Sequence, residues 1–361
     1  MKRILHVIAG MNSGGMETMI MNYYRNIDRS KIQFDFLIYT EGKAFYEDEI
    51  NKLGGKIFKV TSRRKNPLKN YKEIKEFFKN NKYEIAHFHQ GPTYYYPLKM
   101  AKNYGVEKRI IHNHGINRMY KKVLKYPLEL WLKPRICGLA TDYIACSDNV
   151  LDHLFTKKII NEKNYIIINN AIDVEKFKFN NYSRNKIRND LKIKENEILA
   201  LHIGTFTTPK NHLFLIDVFE NQLKENTNLK LALVGEGPLR KNVEDYIKEK
   251  KIENKVIFLG RRENVNEILS AADYMIFPSL YEGLPLTIVE AQANGLPILM
   301  SDTITEKVIQ TDLVKSLGLD RIETWRILNR NLDESIKYNK KLADSIFSIL
   351  NEGKKLEKLY K

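Results

Sequence analysis

The stretch EILALHIGTFTTPKNHLFLIDVFENQLKENTNLKLALVGEGPLR (197–240) reads as strand, loop, helix, strand, loop. EILALHIG is an almost unbroken apolar run that stops at Gly204, and LKLALVG is a second one that stops at Gly235. Between them LFLIDVFEN carries a helical period. A strand that is apolar at successive positions, rather than at alternate ones, is buried on both faces. That is the pattern of a parallel sheet covered by helices. The same alternation runs through the chain. RILHVIA (3–9), FDFLIY (34–39), KIFKV (56–60), EIAHFH (84–89), RIIHNH (109–114), DYIACS (142–147) and YIIIN (165–169) precede this stretch, and KVIFLG (255–260), DYMIFP (273–278) and LPILMS (296–301) follow it. The spacing predicts two doubly wound α/β domains, over residues 1–175 and 176–335. The hinge is expected near NNAIDVEKFKFN (169–180), and a final helix over 336–361 is expected to cross back to the first domain. Two such domains facing a central cleft would bind ligands at the carboxyl ends of their strands.

Composition narrows the class. The chain has 361 residues, of which 43% are hydrophobic and 29% charged, as in an ordinary globular enzyme. No apolar run approaches the roughly 18 residues of a membrane span. KRILHVIAGM breaks into Asn-Ser-Gly-Gly without a cleavage site, so it reads as a buried strand rather than a leader. Cys137 and Cys146 make neither a disulfide framework nor a metal set, which fits a cytoplasmic location. The net charge is +16, and +14 of it falls in residues 1–178. That asymmetry points to an anionic partner for the first half. Nucleic acid is disfavoured, because no helix-turn-helix, zinc-finger or aromatic RNA-binding pattern is present.

The strand ends carry the chemistry. PSLYEGLPLTIVEAQANGLP (278–297) places Glu282 in a turn and Glu290 in the helix that follows. Pro285 suits the first helical turn, Gly283 allows a close backbone approach, and free N–H groups there favour a phosphate. Glu290, read as two turns in, can accept the two protons of a ribose diol, and Glu282 can address another polar group. A nucleotide sugar presents diol, diphosphate and sugar hydroxyls along one line. GTFTTPKNH (204–212) supplies Lys210 as a diphosphate counter-charge. LVGEGPLR (233–240) brings Gly235, and GRREN (260–264) brings Arg261. In GMNSGGMET (10–18) the glycines stand at 10, 14 and 15, which fails the dinucleotide fingerprint and disfavours a nicotinamide enzyme. Gly14 and Gly15 read instead as a phosphate- or sugar-approaching loop at a helix start.

In combination GTFTTPKNH, LVGEGPLR, the Glu282/Glu290 pair with EAQANGLP, and NNAIDVEKF resemble the retaining glycosyltransferases of family four, which have the GT-B fold. The resemblance covers nearly the whole chain and points to the branch that builds capsular and exopolysaccharides. It implies that Glu290 holds the nucleotide ribose and that Glu282 lies by the donor sugar. It also implies that amides of the loop containing Gly283, Leu284, Leu286 and Thr287 bind sugar hydroxyls and phosphate. Lys210 matches the lysine on the diphosphate, and Gly14 and Gly15 match the first-domain glycine loop. His114, with His112 as the alternative, matches a histidine facing the reacting sugar; His87 and His89 line the acceptor side. Thr205 stands where the family usually has an arginine, so one cation on the leaving diphosphate is missing unless Arg261 substitutes. Ala171 replaces the hinge glycine.

The expected reaction is hexose transfer with retention of anomeric configuration, from a UDP- or GDP-sugar to a glycan acceptor, lipid-linked in the expected case. No metal and no cofactor are expected, since the chain holds no Asp-x-Asp. The alternative is a weak or inactive relative that only binds sugar nucleotides or glycans. MYKKVLKYPLELWLKPRICGL (119–139) mixes cations with Tyr, Trp and Leu and suits a helix in a membrane interface. With the basic first half, it implies a peripheral enzyme on an anionic membrane surface, at the inner face of the cell membrane.

Overall fold

The computed structural model describes residues 1–12, 14–89, 94–114 and 126–361. The chain folds as two compact units, one of residues 1–171 with 349–361 and one of residues 172–348.

In the N-terminal unit seven strands form one parallel sheet, from β1 (Lys2–Ile8), β2 (Ile32–Ile38), β3 (Ile57–Lys59), β4 (Ile85–His89), β5 (Lys108–Asn113) and β6 (Asp142–Ala145) to β7 (Ile166–Ile167). Their order is β3-β2-β1-β4-β5-β6-β7, so the chain reverses direction across the sheet between β1 and β4. β2 is buried at every position, and its two polar residues are partnered, Asp35 by Arg3 and Gln33 by the Tyr24 hydroxyl. Alternate residues divide between two cores. Ile4, Ile8, Phe34 and Phe36 face one side, with Tyr23 and Tyr24 of the helix Gly15–Asn26. Leu5, Val7, Leu37, Ala86 and Phe88 face the other.

In the C-terminal unit β8 (Ile198–Ile203), β9 (Leu229–Val234), β10 (Val256–Gly260), β11 (Tyr274–Phe277), β12 (Ile298–Ser301) and β13 (Val314–Leu317) lie in the order β10-β9-β8-β11-β12-β13. Every pairing is parallel, and the chain reverses across the sheet between β8 and β11. All the expected strands are present. β13, sequence VKSL, is additional: it is an edge strand with no buried position, so it lacks the apolar run that marks the others.

The tail corrects one expectation. Residues from 335 onward form two helices, Ser335–Ala343 and Ile349–Leu359, rather than one. The first packs Leu342 into the core of the C-terminal unit. The second packs Ile349, Leu356 and Leu359, with Tyr360 after it, into the core of the N-terminal unit. The sequence between them, Asp344–Ser348, breaks the helical stripe at the change of unit.

One buried charge cluster ties the C-terminal unit together. Asp273, just before β11, accepts from Arg184 at 2.6 Å and Arg188 at 3.0 Å, and takes the backbone N–H of Leu199 at 2.7 Å. Removing one partner of a buried charge group leaves the others uncompensated and costs about 3–5 kcal/mol. Asp273→Ala is therefore expected to lower unfolding stability by about 3 kcal/mol in a denaturant titration. A change below about 1 kcal/mol would show that solvent already screens the cluster.

Candidate active site

The loops that leave β8, β9 and β10 are joined by backbone. Gly204 N–H donates to Val234 O, Phe206 N–H to Glu236 O, Leu239 N–H to Phe206 O, and Gly235 N–H to Gly260 O. The joint has no room for side chains. Gly235 has φ +139°, and a Cβ there would lie 2.0 Å from Gly204 O. A Cβ on Gly237 would lie 2.5 Å from Phe206 O. Glycine is the residue that permits such an approach. Thr205 is exposed on this joint, and Arg261 is exposed just after β10.

The β8 loop then makes a single helical turn, Thr208–Lys210, and passes through Asn211 at φ 54° into the helix His212–Glu225. That turn is tied to the loop after β11. Leu280 N–H donates to Pro209 O at 2.8 Å, and Asn211 Nδ2 donates to Pro278 O at 3.2 Å. The result is the central contact of the site: Lys210 Nζ lies 2.5 Å from Glu282 Oε1, with both side chains mostly buried. The ammonium also sits 5.0 Å from the Phe277 ring centre. Two residues 72 apart in sequence are thus brought together by strand order and by the ties between their loops.

The next helix runs Leu286–Ala293. Pro285 is its N-cap rather than a residue of its first turn, and no side chain caps the N–H groups behind it. Leu284 and Leu286 pack on the core and anchor this start, whereas Gly283 is exposed, with open space where a Cβ would stand. Thr287 is half-buried in the first turn. Glu290 is the fifth helical residue, a little over one turn in and not two. It does not join the Lys210–Glu282 pair. Burial pushes its carboxyl up to about 7, and the charge of Lys176 acts the other way. Lys176 was not singled out from sequence, since a lysine in the hinge carries no motif. His202 and His212 were also missed. His202 gives Nδ1 to Ile276 O at 2.9 Å, and His212 stacks on Phe206 with ring centres 4.2 Å apart.

In the N-terminal unit Gly14 caps the helix Gly15–Asn26 and Gly15 begins it. The Glu17 side chain folds back over Gly14, and burial raises its pKa. His114, just past β5, is half-buried. Its Nε2 lies 2.8 Å from His89 Nδ1, and its ring stacks on His112 with centres 3.9 Å apart. The network continues, with His89 Nε2 2.7 Å from His6 Nδ1, His87 Nε2 3.2 Å from His112 Nδ1, and His87 Nδ1 2.6 Å from the Tyr360 hydroxyl. Burial holds all these imidazoles well below the ordinary histidine pKa, so they are neutral at pH 7. Among the described residues, His6/His87/His89 and His89/His112/His114 bring ligand nitrogens within 4.8 Å of one another. His6 was missed because one histidine in an apolar strand carries no pattern. Within 119–139, residues 119–125 lie outside the described residues. Leu130 and Trp131 are exposed, with the Arg135 guanidinium 3.6 Å from the Trp131 ring centre.

The family described as Glycosyltransferase Family 4 matches residues 13–176, and that described as Glycosyl transferases group 1 matches residues 183–360. EpsF of Bacillus subtilis (strain 168) is 36% identical over 90% of this chain and 86% of its own. The capsular polysaccharide biosynthesis glycosyltransferase CapH of Staphylococcus aureus is 26% identical over 100% of this chain and 99% of its own. An Escherichia coli UDP-Gal:alpha-D-GlcNAc-diphosphoundecaprenol alpha-1,3-galactosyltransferase is 26% identical over 65% of this chain and 62% of its own. Anabaena HepE, solved in complex with UDP, superposes with a TM-score of 0.75 at 15% identity, covering 100% of this chain and 99% of that one. The fold it shares is GT-B.

Two outcomes follow from the site geometry. Gly235→Ala is expected to lower stability by at least about 2 kcal/mol, because both backbone strain and a backbone clash oppose the methyl. Gly283→Ala is expected to stay within about 0.5 kcal/mol of the parent. Equal losses in thermal unfolding would contradict the joint. The Glu290 carboxyl sets a pH effect. The unfolded group ionises near 4.5 and the folded one near 7, so folding binds a proton in between. Stability from this group is complete below 4.5 and is lost as pH rises to 7. Glu290→Gln is therefore expected to equal the parent at pH 4.5 and to exceed it at pH 8 by up to roughly 3 kcal/mol. A parallel pH profile for the two proteins would show that the folded carboxyl is not perturbed.

Proposed function

This chain belongs to glycosyltransferase family four, and from that premise we propose that it moves a hexose from a nucleotide diphosphate sugar to a lipid-linked glycan acceptor during capsular or exopolysaccharide assembly, with retention of configuration. The observation that carries the reading is the Lys210–Glu282 contact on two loops tied by backbone. An ammonium on one of those loops, with an uncapped helix start following the other, suits a diphosphate. The named substrates of the galactosyltransferase relative, a UDP-sugar and a diphosphoundecaprenol acceptor, support the same pair of substrate classes.

In this reading the bond between the anomeric carbon and the β-phosphate oxygen breaks, and the acceptor oxygen bonds to the same face. The acceptor proton passes to the leaving phosphate. Lys210 and the N–H groups at Leu286 and Thr287 take up the charge that grows on that phosphate. Fixed donors of this kind supply a large part of catalytic stabilisation. No metal is needed for that neutralisation. Gly235 and Gly283 let backbone approach the donor, Glu290 accepts the ribose hydroxyls, and Glu282 addresses the sugar. Gly14, Gly15 and His114 are the corresponding contacts of the N-terminal unit. Thr205 offers a hydroxyl where the family resemblance implies a cation, and in this reading Arg261, exposed just after β10, is the substitute. The +14 charge of residues 1–178 and the exposed Leu130 and Trp131 favour an anionic membrane surface as the place of work.

The second reading, sugar-nucleotide or glycan binding without transfer, draws on neutral Thr205. Calorimetry with UDP, GDP, ADP and dTDP, followed by a transfer assay, separates the two. One nucleoside diphosphate is expected to bind, and Lys210→Ala to weaken it at least tenfold. Glu282→Gln frees Lys210 from its carboxylate, so nucleotide affinity is expected to hold or rise while sugar transfer falls. Loss of nucleotide affinity in both variants would contradict the separate roles. Binding without turnover of any nucleotide sugar would favour the second reading.

A further inference from the structure

We propose that His89, His112 and His114 form a site for a borderline divalent cation such as Zn²⁺, Co²⁺ or Ni²⁺. The site follows from strand register. β1 pairs His6 with His87 of β4, and β4 pairs His89 with His112 of β5. Side chains two residues apart share a face of a sheet. His87 and His89, and His112 and His114, therefore join His6 on one face at neighbouring positions.

The cluster has a chemical deficit. Among the described residues, its hydrogen bonds run between the imidazoles and to Tyr360, with no carboxylate or cation taking part. A neutral imidazole has one N–H and one lone pair. A chain His6–His89–His114 must then donate in a single direction, leaving an N–H at one end and a bare lone pair at the other. His6 Nε2, His112 Nε2 and His114 Nδ1 are all buried and have no hydrogen-bond partner among the described residues. Leaving a buried polar group unpaired is unfavourable; an ion would use the free Nε2 lone pair of His112, and it would release the proton that His89 Nδ1 and His114 Nε2 now share. Imidazole is a good ligand for Zn²⁺, Ni²⁺ and Cu²⁺, and three histidines with an open fourth position are a known zinc arrangement.

The candidate ligand nitrogens lie within 4.8 Å of one another. Around a tetrahedral ion with bonds of about 2.0–2.1 Å, ligand nitrogens stand about 3.3 Å apart. The His89 Nδ1 to His114 Nε2 distance is 2.8 Å, so the rings have to part by about half an ångström. Outer support is already present. His87 stands behind His112 at 3.2 Å, and the Tyr360 hydroxyl stands behind His87 at 2.6 Å. Partners of this kind fix the ring and tautomer of a ligating histidine. The triad with His6 and His87 is buried throughout, whereas His114 is half-buried and gives an ion a way in. That difference selects the second triad. The inference holds whether or not the chain transfers sugar, and no step of transfer passes through the ion. A bound ion would occupy His114 and so withhold it from a substrate.

The test uses full-length protein without an affinity tag, stripped by a chelator and dialysed against Co²⁺ or Zn²⁺. Metal content by mass spectrometry and the visible ligand-field bands of Co²⁺ are read together. The expected result is one equivalent per chain with the intense bands of a four-coordinate site. His89→Gln should abolish it, and His114→Ala should weaken it at least tenfold, while His212→Gln should leave it unchanged. Circular dichroism checks the fold of each variant, and His114→Ala at the half-buried edge carries the test if His89→Gln does not fold. No stoichiometric uptake by the parent protein would overturn the proposal. So would uptake that His114→Ala does not change, or uptake that is lost in His212→Gln.

Discussion

The backbone joint between the loops after β8 and β9 is the constraint on which the candidate site rests. Gly235 must present no side chain to Gly204 O, and Gly237 none to Phe206 O. Four hydrogen bonds between main-chain groups then fix the path of the β8 loop as far as Phe206 and pin Gly235 beneath β10. Only along that path does the turn Thr208–Lys210 come against Pro278 and Leu280, and only then can Lys210 meet Glu282. The parallel sheet supplies the layout, because it delivers every loop at the same edge. The glycines supply the closeness.

Both units meet buried charge with charge, and they differ in what else they bury. In the C-terminal unit charge is met by charge: Asp273 with Arg184 and Arg188, and Lys210 with Glu282. Arg330 meets backbone carbonyls instead, and Glu290 is a second exception. Its carboxyl is held up to about 7, because burial outweighs the attraction of Lys176. A group that ionises near neutral pH can donate as well as accept, and a ribose diol offers both kinds of partner. In the N-terminal unit Asp35 meets Arg3 and Glu352 meets Lys355, while the buried histidines are neutral imidazoles that satisfy one another incompletely. The first arrangement suits an anion with hydroxyl groups, and the second suits an ion that takes lone pairs.

Most of the fold was legible in the sequence because parallel strands buried on both faces write themselves as apolar runs. VKSL of β13 escaped for the opposite reason: an edge strand with half-exposed positions has no such run. The tail was read as one helix because SIKYNKKLADSIFSIL keeps a rough helical period. What breaks it is the need to bury Leu342 in one unit and Ile349 in the other, and that is a tertiary demand. In the candidate site, motif and loop position single out Lys210, Glu282 and Glu290, but not the pairing of the first two or the charge that acts on the third. The 72-residue separation of Lys210 and Glu282 closes through strand order, and Lys176 reaches Glu290 through the path of the hinge. His6 became meaningful only through its register with His87.

The most direct test of the account is a crystal structure of the protein with UDP bound. The account predicts the diphosphate within hydrogen-bond reach of Lys210 Nζ and of the N–H groups that begin the helix Leu286–Ala293. It also predicts the ribose hydroxyls on Glu290 and the Glu282 carboxylate released toward the sugar position. UDP bound away from the ends of β8 and β11, or Lys210 still closed on Glu282 with the diphosphate elsewhere, would contradict it.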